Sequence, residues 1–386
     1  MKLTLLKQKS AVIVIHESSG GPGHDLKNFL LVNNIKELLL ISHPLLYFKE
    51  GFKKSSRFEL YKNGKLIKED VSFHWDLPEP LLYVKDFVYA FIWTFKYCKN
   101  PDLFFGVDNL NAFTGLCIRL LFKKTRVIYY VIDYVPVRFK NKILNNIYHF
   151  IEKTAAQYSN ITWNLSPRMI EGRENKWKKK FPHQIIVPYG IYFGRMKRVS
   201  FDKINKQEIV FMGALLEKQG VQLVINSLPL IIKRIPDVKL TIIGKGPYED
   251  NLRKLVIKFR LGKHVSFLGH IESHEEMENR IAKAAVAIAI YDPKNADFSY
   301  YADPGKIKNY LGAGVPVIMT DVPHIARQIE KEKCGFIVEY KVKSLADTII
   351  KIFTEKKIME EYKGNAIKYS SRLDWDNIYK EGVLSI

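Results

Sequence analysis

The stretch Asp303-Pro304-Gly305-Lys306-Ile307-Lys308-Asn309-Tyr310-Leu311-Gly312-Ala313-Gly314-Val315-Pro316-Val317-Ile318 sets a helix start, a glycine stop and an apolar strand in direct succession. Asp303 is of the type preferred as an N-cap, Pro304 suits a first helical position that needs no N–H, and Gly305 leaves the backbone open to close approach. A helix capped by Asp303 is therefore expected, with its free N–H groups and about half a positive charge at the terminus. Lys306 adds a full charge, so a phosphate would fit there. Gly314 is read as the end of the helix, and Val317, Ile318 and Met319 as the start of a buried strand. An ordinary, well-capped αβ unit accounts for the same residues without any ligand.

Working outward, the same alternation covers the chain. Short apolar, β-rich runs at 209–212, 240–243, 265–268, 286–290, 317–319 and 336–338 are separated by amphipathic stretches such as 221–235, 248–261 and 275–285. In the first half, runs at 11–16, 37–42, 103–107, 126–133 and 161–165 alternate with longer helical patterns. Strand-helix alternation predicts parallel, doubly wound sheets that bind ligands at the carboxyl ends of their strands. With 386 residues, more than one core is expected. The fold class is thus α/β, two doubly wound Rossmann-like domains facing a central cleft. Periodicity lapses in the basic segment 193–207, which places the first domain at 1–195 and the second at 206–370.

Two further strand ends in the second half carry glycine. Gly213-Ala214-Leu215-Leu216-Glu217-Lys218-Gln219-Gly220 leads into a helix with a cation in the loop, and Gly244-Lys245-Gly246-Pro247 turns sharply before another. Glycine at such a turn also serves plain geometry, and each motif alone is weakly specific. Taken with the Asp303 segment, they point to one crevice for an anion.

The net charge is +21, divided as +16 over residues 1–200 and +5 over residues 201–386. Clusters at Lys123-Lys124-Thr125-Arg126, Arg138-Phe139-Lys140-Asn141-Lys142 and Lys176-Trp177-Lys178-Lys179-Lys180 suit anionic lipid, a pyrophosphate-bearing substrate or nucleic acid. No apolar run reaches the length of a membrane span, and Lys7 and Lys9 interrupt what a secretion signal would need as its apolar centre. Cys98, Cys117 and Cys334 stand in no metal or redox spacing. The expected setting is cytoplasmic, with a peripheral position on the inner face of the cell membrane open to the basic half.

The ordered series of Gly213 to Gly220, Gly244-Lys245-Gly246-Pro247, Val265-Ser266-Phe267-Leu268-Gly269-His270-Ile271 and Gly312-Ala313-Gly314-Val315-Pro316-Val317-Ile318 resembles the retaining glycosyltransferases of GT-B fold, glycosyltransferase family four. The first half matches more loosely, through Gly20-Gly21-Pro22-Gly23-His24 and Ile132-Asp133-Tyr134-Val135-Pro136. Residues 371–386 resemble the last helix of such enzymes, which crosses back to the first domain. The resemblance implies transfer of a sugar from a nucleotide-diphosphate sugar to a glycan or polyprenyl-linked acceptor, without a protein-bound metal or other cofactor. It implies donor contacts at Gly213, Gln219, Gly220, Gly244, Gly246, Ile271, Tyr301, Asp303, Pro304, Gly305 and Asn309. Lys306 and Lys218 would supply the cations for the diphosphate, and Asp133 a catalytic carboxylate. Gly20, Gly21, Gly23, His24 and Asp108 fall to the acceptor side or the cleft. Tyr301 and Asn309 stand where the family usually has glutamates, and Ala214, Gln219 and Ile132 replace its usual Arg, Lys and His. A strand-end Asp at 108 or 133 also suits simple capping. Two other classes fit less well: a nucleotide-sugar epimerase of the same fold, which would need no basic acceptor domain, and a nucleic-acid binder, which shows no recognised motif, so no nucleic-acid partner is expected.

Overall fold

A computed structural model describes residues 3–16, 20–44, 55–73, 75, 77–295 and 297–386. Met1 and Lys2 of the N-terminal stretch lie outside them. The chain divides into two compact units, residues 1–188 with 375–386, and residues 189–374.

The first unit contains β1 (Ser10–Ile15), α1 (Pro22–Val32), β2 (Glu37–Ser42), β3 (Arg57–Lys62), β4 (Lys65–Val71), α2 (Glu79–Tyr97), β5 (Leu103–Val107), α3 (Asn109–Leu121), β6 (Arg126–Val131), α4 (Lys142–Tyr158), β7 (Ile161–Asn164), α5 (Pro167–Trp177) and β8 (Gln184–Ile186). Its sheet runs β4-β3-β2-β1-β5-β6-β7-β8. The order reverses at β1, whose two parallel neighbours are β2 and β5, so the loops leaving β1 and β5 diverge to opposite faces. One expectation is corrected: β3 lies antiparallel to β2 and to β4. The β3–β4 pair is joined by Asn63-Gly64, with φ of 48° and 77° at the two turn residues of a tight hairpin. Asn141 starts α4, its side chain accepting from the Ile143 and Leu144 N–H groups.

The second unit contains β9 (Asn205–Met212), α6 (Val221–Ile232), β10 (Lys239–Ile243), α7 (Glu249–Lys258), β11 (Val265–Gly269), α8 (His274–Ala282), β12 (Ala284–Ala289), α9 (Asp297–Tyr301), α10 (Gly305–Gly312), β13 (Val317–Met319), α11 (Ile325–Lys331), β14 (Gly335–Ile337), α12 (Val342–Thr354) and α13 (Lys356–Ser370). All its strand pairs are parallel, in the order β11-β10-β9-β12-β13-β14. Here the reversal falls between β9 and β12. Leu345, Ala346, Ile349 and Ile352 form one buried face of α12, and its core cluster includes Val224 and Leu228 of α6. A second cluster joins Ile307, Tyr310 and Leu311 of α10 to Ile191 and Met196.

The last helix, α14 (Trp375–Leu384), belongs to the first unit. The Tyr379 hydroxyl donates to the Pro22 carbonyl at 2.6 Å, and its ring stacks on Trp375 at 4.8 Å.

The crossing of the β9 and β10 loops gives a stability test. Gly244 has φ of 132°, and a Cβ there would stand 2.0 Å from the Gly213 carbonyl oxygen, whereas one at Gly364 on α13 would meet nothing within 4 Å. Gly244→Ala should lower stability by at least about 2 kcal/mol, from backbone strain and the clash together. Gly364→Ala should raise it by up to about 1 kcal/mol, because an exposed helical glycine gives up more chain entropy than alanine. Thermal melts in the opposite order would show that the two loops do not cross as described.

Candidate active site

At the reversal point of the second sheet, Lys306 stands on the first turn of α10 and is the centre of a small constellation. Its ammonium donates to Gln219 Oε1 at 2.5 Å and lies over the rings of Phe211 at 4.7 Å and Tyr291 at 4.9 Å. A Cβ placed on Gly213 would come within 3.9 Å of that ammonium. Gln219, Gly213 and Lys306 therefore converge, as the sequence led one to expect. The residue keeps some exposure, but the charge sits on Nζ, and the rings around Nζ remove its water. Burial thus lowers its pKa to about 7.

The expected cap is corrected. Pro304, not Asp303, occupies the N-cap position of α10, Gly305 is the first helical residue, and no side chain caps the helix. Asp303 Oδ2 instead accepts from the Lys308 ammonium at 2.8 Å and from the Tyr189 N–H at 2.8 Å. Lys308 also donates to the Tyr189 carbonyl at 3.2 Å. This buried pair was missed because nothing local to the sequence announces a partner 114 residues away. A Cβ on Gly305 would stand 2.6 Å from the Tyr189 ring, so its smallness also accommodates that ring.

The remaining residues expected on the donor side are placed as follows. Gly220 has φ of 70° and a Cβ would meet the Ile290 carbonyl oxygen at 2.5 Å, which pins the α6 start against the end of β12. Gly244 and Gly246 press on Gly213 and Leu215. Their glycines serve close backbone packing of the loops. Lys218 lies over Phe298 at 5.2 Å. Ile271 packs on the core cluster containing α10, Tyr301 stands edge-on to Tyr300, and Asn309 is half-buried on α10.

In the first unit, the carboxyl ends of β1, β5 and β6 open into a cavity of about 480 Å³ whose lining includes His16, Asp108, Asn109, Asp133 and Arg138. Asp108 has φ of 69° and ψ of 170°, a backbone region that is nearly glycine's alone and is often found at functional sites. Its side chain does not cap α3. Burial pushes its carboxyl up to about 8, Asp133 adds to the rise, and the Ile132 and Asp133 N–H groups oppose it. Arg138 is engaged with Glu79 at 2.5 Å and the Tyr83 hydroxyl at 2.6 Å.

His16 escaped the sequence reading, being counted as the end of a strand. Its ring binds Asp86 at 3.2 Å and Asn111 at 3.0 Å. Asp86 also meets Lys85 at 2.8 Å. Gly20, Gly21, Gly23 and His24 are not in the cavity lining: Gly20 is exposed, Gly21 starts α1 at φ of 113°, and Gly23 and His24 are on that helix's buried side. Among the described residues, no group of His, Cys, Asp and Glu is placed to hold a metal ion, and no helix is long and apolar enough to cross a membrane.

Residues 195–369 match the model of the family "Glycosyl transferases group 1". The matched residues lie within the second unit. Over 153 residues the chain is 26% identical to a GDP-mannose-dependent alpha-(1-6)-phosphatidylinositol monomannoside mannosyltransferase of Mycobacterium tuberculosis, covering 39% of this chain and 40% of that protein. The chain spans less than half the length of such curated relatives. Its fold is that of a sucrose-phosphate synthase from Thermosynechococcus elongatus, with a TM-score of 0.71 over 97% of this chain and 98% of that one at 17% identity. Anabaena HepE in complex with UDP gives a TM-score of 0.67 over 98% and 100% at 12% identity. These likenesses bear out the expected class, two Rossmann-like α/β domains of the GT-B kind.

Two pH effects follow from the geometry of the Lys306 site and of the cavity. A bound diphosphate favours the charged form of Lys306, so binding above pH 7 should take up close to one proton, and affinity should fall as pH rises from about 7. Calorimetry of a nucleoside diphosphate in buffers of different ionisation heat reads this directly. In Lys306→Met the uptake should vanish and binding weaken by about 1.5 to 3 kcal/mol. Unchanged uptake in the folded variant would exclude Lys306 from the contact.

The Asp108 carboxyl, raised above its usual 3.8 to about 8, contributes stability that is full below pH 4 and lost as pH climbs through 8. Asp108→Asn keeps the shape and removes the titration. The stability difference between variant and parent should grow in the variant's favour from pH 5 to pH 8.5, as read by urea titrations. A constant difference would place the carboxyl in water.

Proposed function

We propose that the protein is a glycosyltransferase that moves a sugar from a nucleotide-diphosphate sugar to a hydroxyl of a glycan or lipid-linked acceptor, with retention of anomeric configuration. The observation that carries this reading is Lys306, an ammonium buried among neutral groups at the reversal point of the group 1 domain. In the reaction the bond between the anomeric carbon and the diphosphate oxygen breaks, and a bond from that carbon to the acceptor oxygen forms. The acceptor proton passes to the departing phosphate oxygen. The protein's part is to stabilise the charge that grows on the leaving diphosphate, and fixed cations do this more strongly in the transition state than in the ground state. Lys306, oriented by Gln219, is the principal cation and Lys218 the second. Asp303 holds Lys308 and so positions the α10 start, while Asp133 and Asp108 orient the acceptor hydroxyl. The donor is a substrate, and no cofactor belongs to the scheme.

The basic first half belongs to the same proposal as a surface for anionic lipid, where each nearby cation contributes about 1 kcal/mol. The test is incubation with a panel of nucleotide sugars, reading release of nucleoside diphosphate and the anomeric configuration of the product. At least one donor should turn over, and Lys306→Met should slow release at least about tenfold. Flotation with anionic but not neutral vesicles at low salt should accompany it. Failure of every nucleoside diphosphate to bind would overturn the assignment.

A further inference from the structure

The first unit's cavity differs from a sugar site in the chemistry of its walls. Beside the polar groups of the lining, which are His16, Tyr83, Asp108, Asn109, Asp133, Arg138 and Tyr148, the helices α2, α3 and α4 supply Val84, Phe87, Phe113, Leu144, Ile147 and Ile151. A site for sugar hydroxyls needs hydrogen-bonding groups all round, because an unpaired buried hydroxyl is costly. Here the greater part of the wall is apolar, and Tyr83 and Arg138 already hydrogen-bond within the protein. At neutral pH the Asp108 carboxyl is largely uncharged, which removes a charge that an apolar occupant would otherwise have to cover.

The apolar lining also continues out of the cavity. On α2, Leu81, Val84, Val88, Ile92 and Phe95 follow one another at helical spacing, and each is between 43% and 58% exposed. On α4, Ile143, Ile147 and Phe150 are 51% to 71% exposed. Single exposed aliphatic residues are ordinary, but two ridges that both run into a cavity make a contiguous apolar surface. The inner side of α2 buries Ala90 and Trp93 in the core beside Lys85, Asp86 and Thr94, so the outer ridge is a separate apolar face. Cations flank the ridges at Lys96, Lys99, Lys140 and Lys142.

We infer that this cavity holds the hydrocarbon chain of a lipid-linked acceptor between α2, α3 and α4, with the acceptor's polar end at Asp108 and Asp133. The inference rests on the glycosyl-transfer reading and names its acceptor class. A volume near 480 Å³ suits a small-molecule site rather than a macromolecule. One chain enters, and the outer ridges meet the surface from which it came.

The test is calorimetric binding of n-alkyl glucosides from butyl to decyl, each below its micelle concentration, to the full-length protein. Affinity should rise about fourfold per added methylene until the cavity is filled. Ile147→Asp changes a half-exposed lining residue, so the fold is preserved, and it should flatten the series to less than twofold per methylene. A flat series in the parent protein, or one equally steep in Ile147→Asp, overturns the inference whatever the nucleotide does. Binding of UDP and GDP is measured in the same samples. A steep parent series that Ile147→Asp flattens, in a protein that binds neither nucleotide, upholds the chain site and overturns the transfer reading on which its acceptor role rests.

Discussion

An ionised group taken out of water must find an opposite charge or lose its own, and in this protein that constraint acts in both units. Lys85 meets Asp86, Arg173 meets Glu152, and Lys308 meets Asp303, all buried. Breaking such a pair by removing one partner costs about 3 to 5 kcal/mol. The Lys308 pair therefore holds Asp303, through it the Tyr189 N–H, and thereby the entry into α10. Lys306, two residues earlier in sequence, has received no carboxylate among the described residues. Its partners are an amide oxygen and two aromatic faces. Such a site disfavours the charged amine by burial, and an arriving anion would restore the charge.

The two candidate sites also share a topological cause. A parallel sheet whose strand order reverses sends consecutive loops to opposite faces, leaving a gap at the carboxyl ends where side chains can reach a ligand. In the first sheet the gap lies between β1 and β5, and His16 and Asp108 leave those strands. In the second it lies between β9 and β12, where Gly213 follows one strand and Ile290 and Tyr291 the other. Glycine is demanded where the loops touch, as when Gly220 lies on the Ile290 carbonyl.

Much of this was legible in the sequence because period and punctuation are local. The run at 37–42 and the run at 317–319 are strands with the bounds read from the residues, and Gly314 follows α10 with φ of 75°. The convergence of Gly213, Gln219 and Lys306 was legible through the ordered motifs. The hairpin of β3 and β4 was not read, although Asn63-Gly64 marks it, because those strands carry charged residues in place of an apolar run. The role given to Asp303 was wrong for a different reason. Capping preferences describe what an Asp can do for its own helix, whereas Lys308 and the Tyr189 N–H offered it a stronger electrostatic partnership. The cavity could not be read at all, since its lining spans residues 16 to 151 and only the fold collects them.

Asp108 shows how the bland and the functional reading of one residue separate. A strand-end aspartate that merely capped α3 would turn its carboxylate onto the helix N–H groups and stay ionised. This one occupies the cap position with the carboxylate turned instead to the Ile132 and Asp133 N–H groups, in a backbone region costing on the order of 1 to 3 kcal/mol. Both departures work against stability, and neither is offset by a cap. Burial raises this acid toward neutrality as it lowers Lys306, so each candidate site holds a group whose charge depends on what arrives. A protonated carboxyl can both donate and accept, which matches a hydroxyl. An amine near its midpoint matches a dianion. Under the proposed transfer, the two groups differ in the same sense as its two substrates, one neutral at its reacting oxygen and one carrying the charge that leaves.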